Sequence, residues 1–159
     1  MNNSAGNGFV VGAIPPKDAL GLTDEAVEGM YSQAYRLYNT GKYTEAAQMF
    51  RLLVMLDPTQ SKFTFGLGAC MHLLKEYRNA IELYTMAAAL DKKSPLALYH
   101  LSDCYIQIQD KLAALVALEL VVKRAENNPA HQVIKDRAVM TLKSLRKDLE
   151  EAGVLNKVK

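Results

Sequence analysis

The 159-residue sequence contains no tryptophan, only two cysteines and no long run of apolar residues. Cys70 and Cys104 have neither the paired-cysteine nor the cysteine–histidine spacing of a zinc site, which indicates a reducing compartment and no disulfide framework. The apolar run "FVVGAI" at residues 9–14 is only six residues long, follows no positive charge and precedes two prolines. It does not resemble a signal peptide, and no run has the length of a membrane span. We therefore expect a cytoplasmic protein with no direct membrane insertion.

The sequence also lacks a charge excess and a catalytic constellation. Its net charge of +2 is spread among interleaved acids and bases, which argues against nucleic acid as a partner. His72, His100 and His131 have no metal-ligand spacing, and His100 beside Asp103 suggests a surface pair without a nucleophile. "GLG" at residues 66–68 falls inside a predicted helix, so it does not resemble a phosphate loop. We expect no enzyme activity, cofactor or metal.

What the sequence does contain is an internal repeat. An offset of 34 residues aligns Tyr43 with Tyr77, Ala46 with Ala80, Phe50 with Tyr84 and Asp57 with Asp91, and a further 34 reaches Ala114 and Leu118. This period and pattern resemble the tetratricopeptide repeat, a helix–turn–helix unit. The fold class predicted is all-α: a tetratricopeptide-repeat solenoid of three helix–turn–helix repeats, with an N-terminal helical extension and a C-terminal capping helix.

The repeat register divides the chain without any insertion. It predicts a flexible tail at 1–14, an extension at 15–26, repeats at 27–60, 61–94 and 95–128, a capping helix at 129–152 and a tail at 153–159. The six repeat helices are expected near 24–39, 44–57, 61–74, 78–91, 95–108 and 112–125. Gly41 suits the left-handed turn that ends the first of them, and Thr23 suits the N-cap. An amphipathic last helix is the usual polar cover for the end of a solenoid.

The most informative pattern is a row of aromatic residues on one predicted helix. Tyr31, Tyr35 and Tyr38 follow i, i+4, i+7 spacing and project from one helical face. Met30 and Leu37 already occupy core positions of the same helix, so the tyrosines are predicted to line the concave groove rather than the core. Each tyrosine combines an apolar body with a polar tip, which suits contact with an extended peptide. The equivalent concave positions of the later repeats are Phe65, Ala69, His72, Tyr99, Asp103 and Ile106.

With the repeats placed, the chain resembles the class II chaperones of bacterial type III secretion, which hold pore-forming translocators. The segments at 30–50, "MYSQAYRLYNTGKYTEAAQMF", and 65–70, "FGLGAC", carry the resemblance, together with three repeats flanked by an extension and a final helix. The resemblance implies groove residues at Tyr31, Tyr35, Tyr38, Tyr43, Leu56, Phe65 and Tyr99. With the remaining concave positions and Lys62, the complete candidate set is Tyr31, Tyr35, Tyr38, Tyr43, Leu56, Lys62, Phe65, Ala69, His72, Tyr99, Asp103 and Ile106.

The resemblance also implies partners. Members of the class bind an extended translocator segment, a short motif with prolines flanking a leucine, and often form homodimers through the N-terminal region, here about 13–28. The expected function is to keep hydrophobic translocator proteins soluble and competent for secretion in the bacterial cytoplasm. This chain departs from the class in being slightly basic instead of acidic, and its final segment "GVLNKVK" has no evident counterpart.

Two other binding functions compete with this one, and the residues argue against the first. An adaptor that clamps a C-terminal carboxylate needs lysine and asparagine where Tyr31 and Tyr35 stand, and Lys62 alone cannot supply that clamp. A tetratricopeptide-repeat scaffold or adaptor subunit of a bacterial assembly machine would use the same tyrosine groove to bind another copy of the protein. Self-assembly in a concentration series would distinguish the scaffold from the chaperone.

Overall fold

The computed structural model describes residues 14–156, so most of the predicted N-terminal tail and the last three residues lie outside the described part of the chain. Helices account for all regular structure within that range, which confirms the all-α class. The helices are α1 (Pro16–Ala19), α2 (Asp24–Asn39), α3 (Tyr43–Leu56), α4 (Ser61–Leu73), α5 (Tyr77–Leu90), α6 (Leu96–Gln107), α7 (Lys111–Ala125) and α8 (Gln132–Glu151), with one 3₁₀ turn at Pro129–His131. Each repeat helix begins and ends within one residue of the expected position.

The helices stack in chain order. Helices α2 and α3, α4 and α5, and α6 and α7 form antiparallel pairs, and each pair packs against the next through α3–α4 and α5–α6. Helix α8 packs on α7 and closes the stack. Contacts are therefore mainly between neighbours in sequence, as in other solenoids.

One turn geometry recurs at intervals of 34 residues. Gly41, Lys75 and Gln109 all have positive φ, at 79°, 62° and 64°. In each turn the next residue donates its backbone N–H to a carbonyl five positions earlier, as Lys42 does to Leu37 at 2.9 Å. This is the Schellman geometry that ends helices, and it favours glycine. Only the first repeat has glycine at this position. In the other two repeats Lys75 and Gln109 adopt the left-handed conformation in spite of their side chains, because the packed helices on either side require the turn.

Small residues set the spacing of the helices. Ala34, Ala46, Ala80 and Ala114 have no exposed surface, and Gly68 is also buried. A Cβ added to Gly68 would lie 3.2 Å from the ring of Tyr84, closer than ordinary contact. Tyr84, Phe50 and Phe63 are the largest fully buried side chains and fill the space between these close contacts. Cys70 and Cys104 are also unexposed, and both are free thiols.

The two ends of the stack are held by polar contacts. The Lys17 ammonium lies 2.7 Å from Asp24 and 3.5 Å from the buried carboxylate of Asp57, which joins α1 to the end of α3. Thr23 caps α2 by accepting a hydrogen bond from the Ala26 amide at 3.1 Å. At the other end, Lys111 on α7 pairs with Asp148 on α8 at 2.9 Å. None of the helices within residues 14–156 is both long and apolar enough to cross a membrane.

Candidate peptide-binding groove

The concave side of the stack contains a cavity of about 450 Å³ between the first helices of the three repeats. Its residues come from α2, α3, α4, the end of α5 with the following loop, and α6. They are Tyr31, Tyr35, Tyr38, Phe50, Ser61, Lys62, Phe65, Gly66, Ala69, Ala87, Asp91, Ser94, Leu96, Ala97 and His100. Most of these side chains are apolar or aromatic, and the volume is that of a small-ligand or side-chain pocket.

One wall is a continuous row of tyrosines. The ring centroids of Tyr31 and Tyr35 lie 6.2 Å apart, those of Tyr35 and Tyr38 6.3 Å apart, and those of Tyr38 and Tyr43 5.6 Å apart. Tyr35 is 52% exposed, whereas the other three are half-buried. Burial raises the pKa of Tyr31 and of Tyr38, so both hydroxyls stay protonated and can donate hydrogen bonds. The row therefore offers apolar ring surface with polar tips.

Lys62 closes the groove beside this row. Its ammonium lies 4.6 Å from the centre of the Tyr31 ring, within the range of a cation–π contact. The same ammonium pairs with the carboxylate of Glu28 on α2. Lys62 is thus positioned between the first two repeats, with its ammonium group against the rings of Tyr31 and Phe63.

Behind the cavity, a polar cluster joins the second and third repeats. His72 on α4 lies 2.7 Å from the Asp103 carboxylate on α6 through Nε2, and 3.3 Å from the Tyr84 hydroxyl through Nδ1. His100 does not pair with Asp103, so the expected surface pair is wrong. Its ring is half-buried and stacks on Tyr84, with centroids 5.6 Å apart and planes at 20°. The prediction failed because Asp103 reaches a histidine on the neighbouring helix instead of one on its own helix.

The environment of His100 favours its neutral form. Burial and the nearby His72 lower the pKa of His100, and the Asp103 carboxylate only partly opposes them. Phe65 also packs against the His100 ring, with centroids 5.6 Å apart. At neutral pH the groove therefore presents an uncharged imidazole that can still accept or donate a hydrogen bond.

The structure brings together half of the predicted site residues and distributes the others around them. Tyr31, Tyr35, Tyr38, Lys62, Phe65 and Ala69 line the cavity. Tyr43 extends the tyrosine row, Tyr99 lines a neighbouring cavity, and His72 and Asp103 form the polar cluster. Leu56 is buried in the core, and Ile106 packs against the core half-buried.

Sequence reasoning missed several lining residues. Phe50 and Gly66 meet between repeats one and two, while Asp91, Ser94 and Leu96 come from the α5–α6 connection and its exit. For His100 the sequence suggested only a contact with Asp103 on the same helix. For Phe50 the repeat pattern indicates a core position, and the loop residues carry no periodic signal. The cavity lining thus depends on contacts between repeats.

Comparisons with known proteins agree with this architecture. Tetratricopeptide-repeat family models match residues 27–59, 61–94 and 96–128. The low calcium response locus protein H of Yersinia pseudotuberculosis is 31% identical over 137 residues, covering 85% of this chain and 82% of that protein. Chaperone protein SicA of Salmonella typhimurium is 29% identical over 82% of this chain and 76% of its own length.

Solved structures show the same similarity in three dimensions. The type III secretion translocator chaperone SycD of Yersinia enterocolitica has a TM-score of 0.79 at 29% identity, covering 84% of this chain and 99% of that one. SycD in complex with a peptide of the translocator YopD has a TM-score of 0.77 at 30% identity, covering 79% of this chain and 96% of SycD. Because it shares both fold and sequence with these proteins over most of its length, the chain belongs to the tetratricopeptide-repeat translocator chaperones of type III secretion.

Proposed function

We propose that this chaperone binds an extended, proline-flanked segment of a hydrophobic translocator protein in the concave cavity, with the tyrosine row as the main contact. The observation that supports this most is the row Tyr31–Tyr35–Tyr38, which presents three aromatic rings on the open side of a cavity of about 450 Å³. The related chaperone PcrH has been solved with the chaperone-binding regions of PopD and of PopB.

The groove suits a peptide that carries few polar groups of its own. A leucine side chain buried there gains about 1.5–3 kcal/mol from leaving water, and proline preorganises an extended backbone at low entropic cost. The tyrosine hydroxyls and the His100 ring can meet the peptide's backbone groups. Because the groove is already formed by packed helices, little reorganisation opposes binding.

The biological consequence is protection of the client in the bacterial cytoplasm. A translocator contains segments suited to membranes, which aggregate in water when nothing covers them. Holding one segment in a stable groove keeps the client soluble in the producing cell until secretion, with no enzymatic step and no cofactor in the chaperone.

We also propose that the chaperone forms a homodimer through residues 15–26. Leu20 in this segment is 69% exposed, and Ile14, which immediately precedes the segment, is 71% exposed. An "alternative dimer" has been described for SycD.

The test is a calorimetric titration of a proline-flanked, leucine-containing peptide into the full-length protein. We expect micromolar-range binding, and a loss of at least about tenfold in the Tyr31→Ala/Tyr35→Ala variant because aromatic residues supply most of the energy of such contacts. Tyr35→Ala alone, at a 52% exposed position, provides a second variant with little risk to folding. Met55→Ala/Met86→Ala is the matched control, since both methionines are exposed and neither lines the cavity.

Two results would contradict the proposal. Equal binding by the wild type and both tyrosine variants would place the peptide elsewhere. No binding by any of them, with self-assembly that grows with concentration in light scattering, would favour the scaffold function instead.

A further inference from the structure

A second cavity continues the groove beyond the third repeat. It measures about 380 Å³ and lies between the start of α6 and the start of α8. Its lining is Ser94, Pro95, Leu96, Tyr99, His100, Ala130, His131, Val133, Ile134 and Arg137. Ser94, Leu96 and His100 line both this cavity and the first one. The two cavities are therefore consecutive parts of one trough, with His100 at the junction.

Given the proposed function, on which this inference rests, we infer that the client chain runs past His100 into this second cavity and places an acidic residue against Arg137. The client would then contact the solenoid at two places, the tyrosine row at one end and α8 at the other. The capping helix thereby becomes part of the binding surface as well as the end of the stack.

The apolar walls of the second cavity are more open to water than a capping surface requires. Val133 is 66% exposed and Leu96 is 42% exposed, and both border the cavity. Tyr99 and Ile134 add half-buried apolar surface between them. A cap only needs a polar outer face, so apolar side chains at this position indicate a surface that a further chain covers.

The charge of the residues that line the second cavity indicates which kind of client residue fits there. Among the described residues, Arg137 is the one permanently charged side chain that lines the second cavity, whereas the first cavity has both Lys62 and Asp91. Within residues 14–156 the Arg137 guanidinium forms no ion pair. A guanidinium with its donors available binds a carboxylate in a bidentate manner.

The second cavity also borders a buried polar atom that lacks a hydrogen-bond partner in the described part of the chain. His131 lines the cavity, and its Nδ1 atom is buried with no hydrogen-bond partner in the described part of the chain. Buried polar atoms in folded proteins nearly always have a partner. A bound chain would supply polar groups at this point.

The experiment compares three peptides by calorimetry. The first is the core proline-flanked peptide, and the second adds four residues containing two glutamates, a length of about 13 Å when extended. The third replaces those glutamates with glutamine. Extensions are made separately at each end, because the cavity lies on only one side of the tyrosine row. At one end we expect the glutamate peptide to bind about fivefold more tightly than the glutamine peptide, and the difference to shrink at high salt.

Variants assign that difference to the cavity. Arg137→Ala should abolish the preference for glutamate and leave the affinity for the core peptide unchanged, and Arg137→Glu should reverse the preference. Lys135→Ala is the matched control, since this lysine lies on the same turns of α8 without lining the cavity. It should keep the preference.

Each alternative result has a defined meaning. If the core peptide binds but glutamate and glutamine extensions bind equally at both ends, or if Arg137→Ala keeps the preference, the inference is wrong and the proposed function stands. If the core peptide does not bind, the proposed function fails and the inference fails with it. If Val133→Glu alters the oligomeric state without affecting the extended peptides, the cavity is a contact between two copies of the chain, which also overturns the inference.

Discussion

At the scale of single residues, Gly66 allows the first two repeats to approach closely at the wall of the groove. It lies on α4 and lines the cavity, and a Cβ built on it would lie only 2.3 Å from Cε1 of Phe50. Phe50 is fully buried, so its ring can move aside only towards the cavity that it lines. The glycine is therefore required by the approach of two repeats and not by its backbone conformation.

Gly66→Ala should lower the free energy of unfolding by about 1–3 kcal/mol, the range for overpacking a close-packed core. It should also weaken peptide binding, because the displaced Phe50 ring would move within the cavity wall. Gly29→Ala is the control, since it lies in the interior of α2 and the added Cβ would have no neighbour within 4 Å among the described residues outside the backbone of its own helix. That change should stabilise the protein by about 0.5–1 kcal/mol through helix propensity. Urea denaturation measures both, and equal effects of the two variants would contradict the steric argument.

At the scale of helices and their connections, Arg124 joins the second repeat to the third. Its Nη1 atom on α7 donates to the backbone carbonyls of Ala88, Asp91 and Ser94, at 2.9, 3.1 and 3.3 Å. These carbonyls lie at and beyond the C-terminal end of α5, where the helix dipole favours a positive charge. Asp91 and Ser94 also line the groove, so Arg124 supports the groove from behind.

Arg124→Ala should therefore cost about 2 kcal/mol in the free energy of unfolding, the typical value for a charged hydrogen bond that is partly buried. Arg124→Lys should recover only part of this, because an ammonium does not reproduce the planar guanidinium. Lys123→Ala, an exposed neighbour on the same helix, is expected to change stability by less than about 0.5 kcal/mol. Thermal and urea unfolding report the difference. An Arg124→Ala variant as stable as Lys123→Ala would show that the loop does not depend on this side chain.

At the scale of the whole molecule, the histidine cluster makes stability depend on pH. The groups around His100 are His72 on α4, Tyr84 on α5 and Asp103 on its own helix α6. Because the pKa of His100 in the folded state lies below its ordinary value of 6.5, the unfolded chain binds this proton more readily. The folded state is thus favoured above pH 6.5 and loses stability as the pH falls below that value.

Urea denaturation between pH 8 and pH 5 should show this loss, and His100→Gln should make the free energy of unfolding depend less on pH because it removes the titrating ring. A wild-type protein with constant stability from pH 8 to pH 5 would contradict the burial of His100 as a neutral ring.

A second loss of stability, which comes from Asp57, is expected at lower pH. Burial by itself would raise the pKa of Asp57, but hydrogen bonds from Thr59 and Gln60 and the charge of Lys17 lower it below 3.8. The stability that Asp57 contributes is therefore complete above about pH 4 and is lost only in stronger acid.

Several features followed from local pattern alone. The 34-residue period predicted the helices α2 to α7 to within one residue, since helix periodicity, small contact residues and caps are properties of short segments. The spacing of Tyr31, Tyr35 and Tyr38 put three rings on one face for the same reason, and these three do line one cavity. Peptide binding by these three tyrosines stays a prediction, which the calorimetric titration tests.

Other features depend on how helices from different repeats meet. Asp103 is bonded to His72, 31 positions away, and Phe50 meets Gly66 across two repeats. The second cavity exists because α8 begins beside α6. The sequence by itself determined the repeat, its helices and its tyrosine face, because these depend on side chains three to four residues apart. Only the tertiary structure decided the histidine cluster, the glycine contact and the extension of the groove, because the stagger and approach of packed helices are set by the whole stack.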